Sequence, residues 1–279
     1  MNISVIISTY NSPKWLEKVL WGLERQTHRQ FEVIISDDGS SIETEQFIKK
    51  FSQFSFFKIK HVWQKDNGFR KCEIINKAII LAKEDYLIFL DGDCIPRKDF
   101  IFEHINQARS NTFLTGSFIR LPMMISTLID REIILNQECF EWNWLIKNGL
   151  HKNRKNSKLK IKQCLVPLFN KISPARTNFK GGNASAWKKD LLKINGFDHR
   201  MAWGGEDREL GERLKNSGVK GRHVRYSAII VHLDHSRNYA DPHQVEKNKL
   251  LRLDVEKNKL QRTSFGIDKI KHEDIQVLE

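Results

Sequence analysis

Apolar residues along this chain follow two rhythms. Short runs rich in β-branched residues alternate with stretches in which apolar side chains recur every three or four positions. Ile3 to Ser8 is mostly apolar on both alternations, as in a parallel strand buried on two faces. Asn11-Ser12 before Pro13 is a helix-start signal, and Trp15, Leu16, Val19, Leu20 and Leu23 follow at helical spacing. The same reading predicts a strand over 31–36 that ends in Asp37-Asp38-Gly39-Ser40, a helix over 43–52 and a strand over 57–63. A helix over 74–82 and a strand over 86–90, ending at Asp91-Gly92-Asp93, complete this half. Strands alternating with helices predict an α/β fold with a mostly parallel central sheet flanked by helices.

Beyond this half the pattern predicts a strand over 113–120, a helix over 127–148 and a basic loop. Order returns after Gly181-Gly182, with a helix over 186–194, a turn at Asn195-Gly196, a helix over 206–216 and a strand over 224–232. From Asp241 the chain reads as a solvated amphipathic helix, although Val-Glu-Lys-Asn-Lys-Leu occurs at both 245–250 and 255–260. A ten-residue period fits no heptad, and two copies make no solenoid. The expected organisation is one domain over 1–236, followed by a helical tail over 237–279. Within the domain, 1–120 is the ligand-binding half, 121–180 a basic insertion and 181–236 a second functional half.

The 279 residues, 40% of them hydrophobic, suffice for one large α/β domain with an appendage. No apolar run approaches the roughly 18 residues of a membrane span. Met1 to Ile7 is short and lacks a positive start, so it reads as a strand and not as a secretion signal. Cys72, Cys94, Cys139 and Cys164 have no metal-type spacing, which suits reduced thiols and a cytoplasmic location. The net charge of +13 is concentrated: Trp142 to Lys180 holds ten Lys and Arg residues and no acid. Such a block attracts anionic lipid, an acidic substrate or nucleic acid, unless it is a plain solvated insertion. Trp142, Trp144, Leu145, Ile146, Leu165, Leu168 and Phe169 among the cations favour a membrane surface over nucleic acid, with peripheral attachment at the cytosolic face.

Ligands of parallel sheets bind beyond the carboxyl ends of the strands, where Asp37-Asp38 and Asp91-Gly92-Asp93 both fall. Asp91 and Asp93 suit a hard divalent ion, Mn²⁺ or Mg²⁺, with one side chain on the cation and the other on a ribose. Asp38 is suited to accept a hydrogen bond from a nucleobase imide, and Arg70 to pair with a diphosphate. Trp203-Gly204-Gly205-Glu206-Asp207 reads as a hinged loop ending in a general base, with an indole on which the apolar face of a sugar stacks. His232 and His235 follow the late strand, where an imidazole would complete a metal site with Asp93. Each feature has a plainer reading as a turn, a helix cap, a dipole partner or a structural histidine. Neither a Gly-x-Gly-x-x-Gly motif after the first strand nor a Gly-Lys-Ser/Thr phosphate loop is present.

Together these elements resemble the family-two inverting glycosyltransferases of the GT-A fold, a Rossmann-like nucleotide-sugar-binding architecture. The resemblance is carried by Val5 to Asn11, Asp37 to Ser40, Asn67 to Arg70 and Phe89 to Asp93. Lys180 to Ser185, Asn195 to Asp198 and Trp203 to Asp207 resemble the galactosyltransferase carboxyl-terminal module of chondroitin-polymerase domains and β-1,4-galactosyltransferases. The resemblance implies that Ser8, Thr9 and Tyr10 line the nucleotide pocket, Asp38 reads uracil and Arg70 lies near the pyrophosphate. It implies Asp91 on ribose or metal, Asp93 as metal ligand, and His232 as a further ligand with His235 the alternative. Asp207 would be the base, Glu206 would position hydroxyls and Trp203 would stack on the acceptor. The implied reaction is inverting, metal-dependent transfer of a hexose or N-acetylhexosamine from a UDP-sugar to a glycan or lipid-linked glycan, forming a β-linkage in polysaccharide or lipopolysaccharide synthesis. The runner-up is a catalytically inactive nucleotide-sugar-binding protein, and the third reading is a basic nucleic-acid-binding module.

Overall fold

The computed structural model describes residues 1–153, 155–236 and 241–278. The amino-terminal half runs β1 (Ile3–Thr9), α1 (Pro13–Glu24), β2 (Phe31–Asp37), α2 (Ile42–Ser52), β3 (Lys58–Trp63), α3 (Lys71–Leu81) and β4 (Tyr86–Asp91). There follow β5 (Cys94–Pro96), α4 (Phe100–Gln107), β6 (Thr112–Thr115), β7 (Ser117–Arg120), α5 (Met123–Leu128), α6 (Arg131–Leu135), α7 (Trp142–Lys147) and α8 (Val166–Lys171). The remainder is β8 (Asn183–Trp187), α9 (Lys188–Lys193), α10 (Glu206–Asn216), β9 (Lys220–His223), β10 (Ile229–His232), α11 (Pro242–Lys257) and β11 (Gln276–Leu278).

Eight strands form one sheet in the order β11-β3-β2-β1-β4-β8-β6-β9. The β3-β2-β1-β4 centre is parallel, while β8 is antiparallel to both β4 and β6, and β11 to β3. Both faces of the sheet are covered, as the unbroken apolar runs require. Ile3, Val5 and Ile7 pack with α1, while Ile6, Ile34 and Val62 pack with α3 and α10. This alternation within one strand is the two-residue period of a pleated backbone.

A second sheet, β5-β10-β7, departs from the first where the chain needs to turn. The strand expected over 113–120 is two strands, β6 in the large sheet and β7 in the small one. Gly116 sits between them because a β-carbon there would collide with the Asn183 side chain. Asn183 is fully buried and donates to the carbonyls of Ser117 (3.2 Å) and Ala228 (3.0 Å), stitching the two sheets together. Of the strand expected over 224–232 only β10 (Ile229–His232) forms, in the small sheet, while β9 precedes it at Lys220–His223 in the large one.

Other expectations also change. The helix expected over 127–148 is broken into α5, α6 and α7: Ile129 is extended, Asp130 starts a new helix by accepting from the Ile133 amide, and Gln137 takes φ 67°. The segment expected as a helix over 186–194 begins as β8 and becomes α9 at Lys188. The tail is more than a solvated helix. Asn248 and Val255 of α11 are buried against the domain, and β11 adds an antiparallel edge strand to β3.

Candidate active site

Asp91-Gly92-Asp93 spans the junction between the two sheets. Asp91 ends β4 in the large sheet, and Cys94 opens β5 in the small one. Gly92 makes the crossing: its amide donates to the Ser8 carbonyl at 2.8 Å, and a β-carbon would stand 3.0 Å from that oxygen. The two acids therefore serve different neighbours.

Asp91 joins a cluster of charged groups. Its Oδ1 accepts from Ser8 Oγ (2.9 Å) and from Lys71 Nζ (2.7 Å). Glu206 and Asp207 open α10 behind Gly204 and Gly205, whose φ values of 108° and 103° lie in the left-handed region that glycine tolerates. The Gly204 amide donates to Glu206 Oε2 at 2.9 Å. Gly181 and Gly182 bring the acids together. A β-carbon at Gly181 would stand 2.6 Å from an Asp207 carboxylate oxygen, and one at Gly182 would collide with the Asp91 carboxylate. Asp207 Oδ1 is buried with no hydrogen-bond partner. Burial, then the charges of Glu206 and Asp91, push the Asp207 carboxyl up to about 7, against the opposing pull of Lys71 and the Gly181 amide. Burial alone would lower the Lys71 ammonium, but Asp91, Asp207 and Glu206 outweigh it and hold the group well above its ordinary value.

Asp93 faces the small sheet. The β10–β5 register sets His232 opposite Cys94, and the Leu233 amide donates to the Asp93 carbonyl at 2.9 Å. His235 Nε2 lies 3.0 Å from Asp93 Oδ2 and His232 Nε2 lies 3.7 Å from it, with the two rings stacked at 5.5 Å. Burial opposes ionisation of Asp93, but the bond from His235 and the electrostatic pull of His232 and His235 hold its carboxyl below the usual range. Asp93, Cys94 and His232 present donor atoms within 4.8 Å of one another. Burial and the charges of Asp93 and Asp91 push the Cys94 thiol well above its ordinary value. The Asp93 carboxylate and the two imidazoles are a donor set that fits Mn²⁺.

The nucleotide-side candidates line the adjoining strand ends. Asp38 Oδ1 accepts from Gln64 Nε2 (2.6 Å) and Oδ2 from the Arg70 amide (2.8 Å). Burial raises the Asp38 carboxyl to about 6 despite these bonds. Thr9 Oγ1 is buried without a partner, while the half-exposed Tyr10 ring donates its hydroxyl to Asp66 Oδ2 at 2.9 Å. The Arg70 guanidinium is held by Glu73 (3.2 Å) and the Lys65 carbonyl, and the cation that touches Asp91 is Lys71. Trp203 is half-buried beside the glycine pair. Sequence reasoning missed Lys71, Gln64 and Asp66. Gln64 and Asp66 stand just past the carboxyl end of β3, a position that flags them by the same rule as Asp91.

The basic insertion is less uniform than its composition. Lys158 is buried, donating to Ser117 Oγ (2.6 Å) and the Phe118 carbonyl (3.0 Å), and burial followed by Arg225 and Lys180 lowers it to about 7. Leu145 is buried and Trp142 and Trp144 are half-buried, so they do not supply an outward apolar surface. Leu165, Leu168 and Ile172 do, at 43%, 51% and 59% exposure, among the exposed Lys152, Lys155, Lys160, Lys162 and Lys171. Arg154 lies outside the described residues. No helix among the described residues is long and apolar enough to cross a membrane.

The sequence profile of glycosyl transferase family 2 matches residues 4–171, and that of the N-terminal domain of galactosyltransferase matches residues 163–236. Chondroitin synthase of Escherichia coli is 31% identical over 244 residues, which cover 80% of this chain and 33% of that protein. The chain thus spans about a third of that relative. The structure of S. aureus TarS 1-349 in complex with UDP-GlcNAc superposes with a TM-score of 0.62 at 16% identity, covering 93% of this chain and 69% of that one. Mannosyltransferase PcManGT from Pyrobaculum calidifontis, in complex with GDP-Man and Mn²⁺, gives a TM-score of 0.59 at 16% identity, covering 85% and 58%. The fold is that of the GT-A glycosyltransferases.

Proposed function

The chain belongs to glycosyl transferase family 2, and on that footing we propose that it transfers a hexose or N-acetylhexosamine from a UDP-sugar to a glycan hydroxyl with inversion. The observation that carries this reading is the meeting of Asp91 and Asp207 at Gly181-Gly182. Two acids more than a hundred residues apart in sequence pack against adjacent glycines, and each acts on the charge of Lys71.

In this proposal Ser8, Thr9, Tyr10, Asp38 and Arg70 hold the nucleotide, and Asp91 meets the ribose. Asp93, His232 and His235 would hold a divalent ion, Mn²⁺ or Mg²⁺, which when bound supplies positive charge for the leaving diphosphate. Trp203 supports the acceptor ring, and Glu206 positions hydroxyls. Asp207 takes the proton of the attacking acceptor hydroxyl as the new bond forms. A raised carboxyl suits this task, because a base near pH 7 has a larger drive to accept a proton. One displacement gives one inversion, so a UDP-α-sugar yields a β-linkage. The named relative is a chondroitin synthase, which supports a glycan acceptor and a place in cell-surface polysaccharide synthesis. The exposed Leu165, Leu168 and Ile172 among lysines support docking at an anionic membrane, where a lipid-linked acceptor is met.

The test is hydrolysis and transfer from a panel of UDP-sugars with and without Mn²⁺, on wild type and Asp207→Asn. Asp207→Asn keeps the side-chain shape and is expected to lower kcat by roughly 10²–10⁴-fold, the usual range for general acid–base help, with UDP affinity retained. Near-wild-type turnover of the variant with chemistry rate-limiting rules out Asp207 as the base. Absence of UDP binding to wild type overturns the whole reading.

A further inference from the structure

We propose that Asn248, in the carboxyl-terminal helix α11, is a positioning residue for the loop that presents Trp203 and leads into Glu206-Asp207. Asn248 is fully buried. Its amide nitrogen donates to three successive carbonyls of that loop, Ala202 (2.9 Å), Trp203 (3.2 Å) and Gly204 (3.2 Å). Gln244 Nε2 donates to Asn248 Oδ1 at 3.3 Å, which fixes the amide with its nitrogen toward the loop.

The loop has reason to need such a tie. Gly204 and Gly205 both take left-handed φ, and glycine gives a chain many alternatives to the observed path. The helix closes over both glycines: a β-carbon at Gly204 would stand 3.0 Å from Val245, and one at Gly205 3.1 Å from Arg252. Arg252 in turn pairs with Glu212 of α10 at 2.7 Å. One face of α11 thus fixes both the loop and the helix whose first turn holds the proposed base.

This accounts for the doubled Val-Glu-Lys-Asn-Lys-Leu. In the first copy Val245 and Asn248 face the loop. The second copy runs off the end of α11, which stops at Lys257 with Asn258 as its C-cap. Asn258 is exposed and donates to Asp254 Oδ1 (2.6 Å), while Val255 is buried and its carbonyl accepts from Asn216 at the end of α10. Equal sequences have unequal roles, and only the first holds the loop.

The inference rests on the glycosyltransferase reading and is tested separately from it. In the full chain, Asn248→Ala is expected to raise acceptor KM and lower kcat, together at least about tenfold in kcat/KM, with Mn²⁺-dependent UDP affinity unchanged. Hydrogen exchange is expected to quicken in the peptide covering 200–209 and not in β1 or β4. Asn258→Ala, the same change in the second copy, is expected to do neither. Val255→Ala loosens the same helix without touching the loop and serves as the stability control. Equal kinetic loss in Val255→Ala and Asn248→Ala at matched melting temperature, or unaltered exchange over 200–209, overturns the positioning role. A wild type that turns over no UDP-sugar defeats the functional reading instead, and the exchange result still decides whether Asn248 holds the loop.

Discussion

Replacing Lys71 with Met tests the electrostatics of the proposed base. Methionine keeps the length of the stem and removes the ammonium that lies 2.7 Å from Asp91 Oδ1. In the intact protein Lys71 lowers the Asp207 carboxyl against burial and the charges of Glu206 and Asp91, and the balance stands at about 7. An opposite charge within about 4–6 Å lowers a carboxyl by roughly one to three units. Lys71 bonds Asp91, so its effect on Asp207 belongs at the lower end, about one unit. A base works only when unprotonated, so the rate rises with pH through its pKa. With the carboxyl at about 7, about half of Asp207 is ionised at pH 7. Raised by about one unit, roughly a tenth is ionised, a loss of about fivefold in kcat/KM at pH 7. The loss shrinks toward alkaline pH, where both forms are fully ionised, and the difference that persists there reports the effect on Asp91 and the donor. Initial rates at saturating donor, from about pH 5.5 to 9.5 at constant ionic strength, give the apparent pKa of each protein. An unmoved or acid-shifted rise in Lys71→Met refutes the coupling.

Three further outcomes are expected. Asp93→Ala removes the carboxylate on which both imidazoles converge, so calorimetry should show the Mn²⁺ enhancement of UDP binding in wild type and its loss in the variant; equal UDP affinity with and without Mn²⁺ in wild type refutes the metal site. Gly116→Ala forces a β-carbon into the Asn183 side chain where the chain changes sheets, and overpacking of this kind costs about 1–3 kcal/mol, read as a lower denaturant midpoint; an unchanged midpoint contradicts the close packing. Replacing Lys152, Lys155, Lys160, Lys162 and Lys171 with Gln should weaken flotation with anionic vesicles and spare activity on soluble acceptor, each cation contributing about 1 kcal/mol near such a surface. Added salt should mimic the change, and equal flotation with neutral and anionic vesicles returns the segment to a solvated surface.

The sequence by itself determined the alternating half of the molecule. β1 to β4 and the helices between them are local events, written in runs such as Ile3 to Ser8 and in the helical spacing of Trp15 to Leu23. It also marked strand ends, and with them Asp38, Asp91 and Asp93, because a parallel sheet puts its ligand side there. The tertiary structure alone decided which of these groups meet. The split of 113–120 into β6 and β7 depends on one side chain, Asn183, that fills the space beside Gly116 from elsewhere in the chain. Lys71, and not Arg70, reaches Asp91, because α3 starts there and turns Arg70 toward Glu73. Lys158 counts as one more cation in the sequence, yet it is buried against β7. In the doubled tail, the end of α11 at Lys257 gives identical residues different neighbours. Local pattern fixes what a segment becomes, since its hydrogen bonds close within or beside it. Long-range packing fixes what a side chain touches, and the chemistry proposed for Asp207 depends on those contacts.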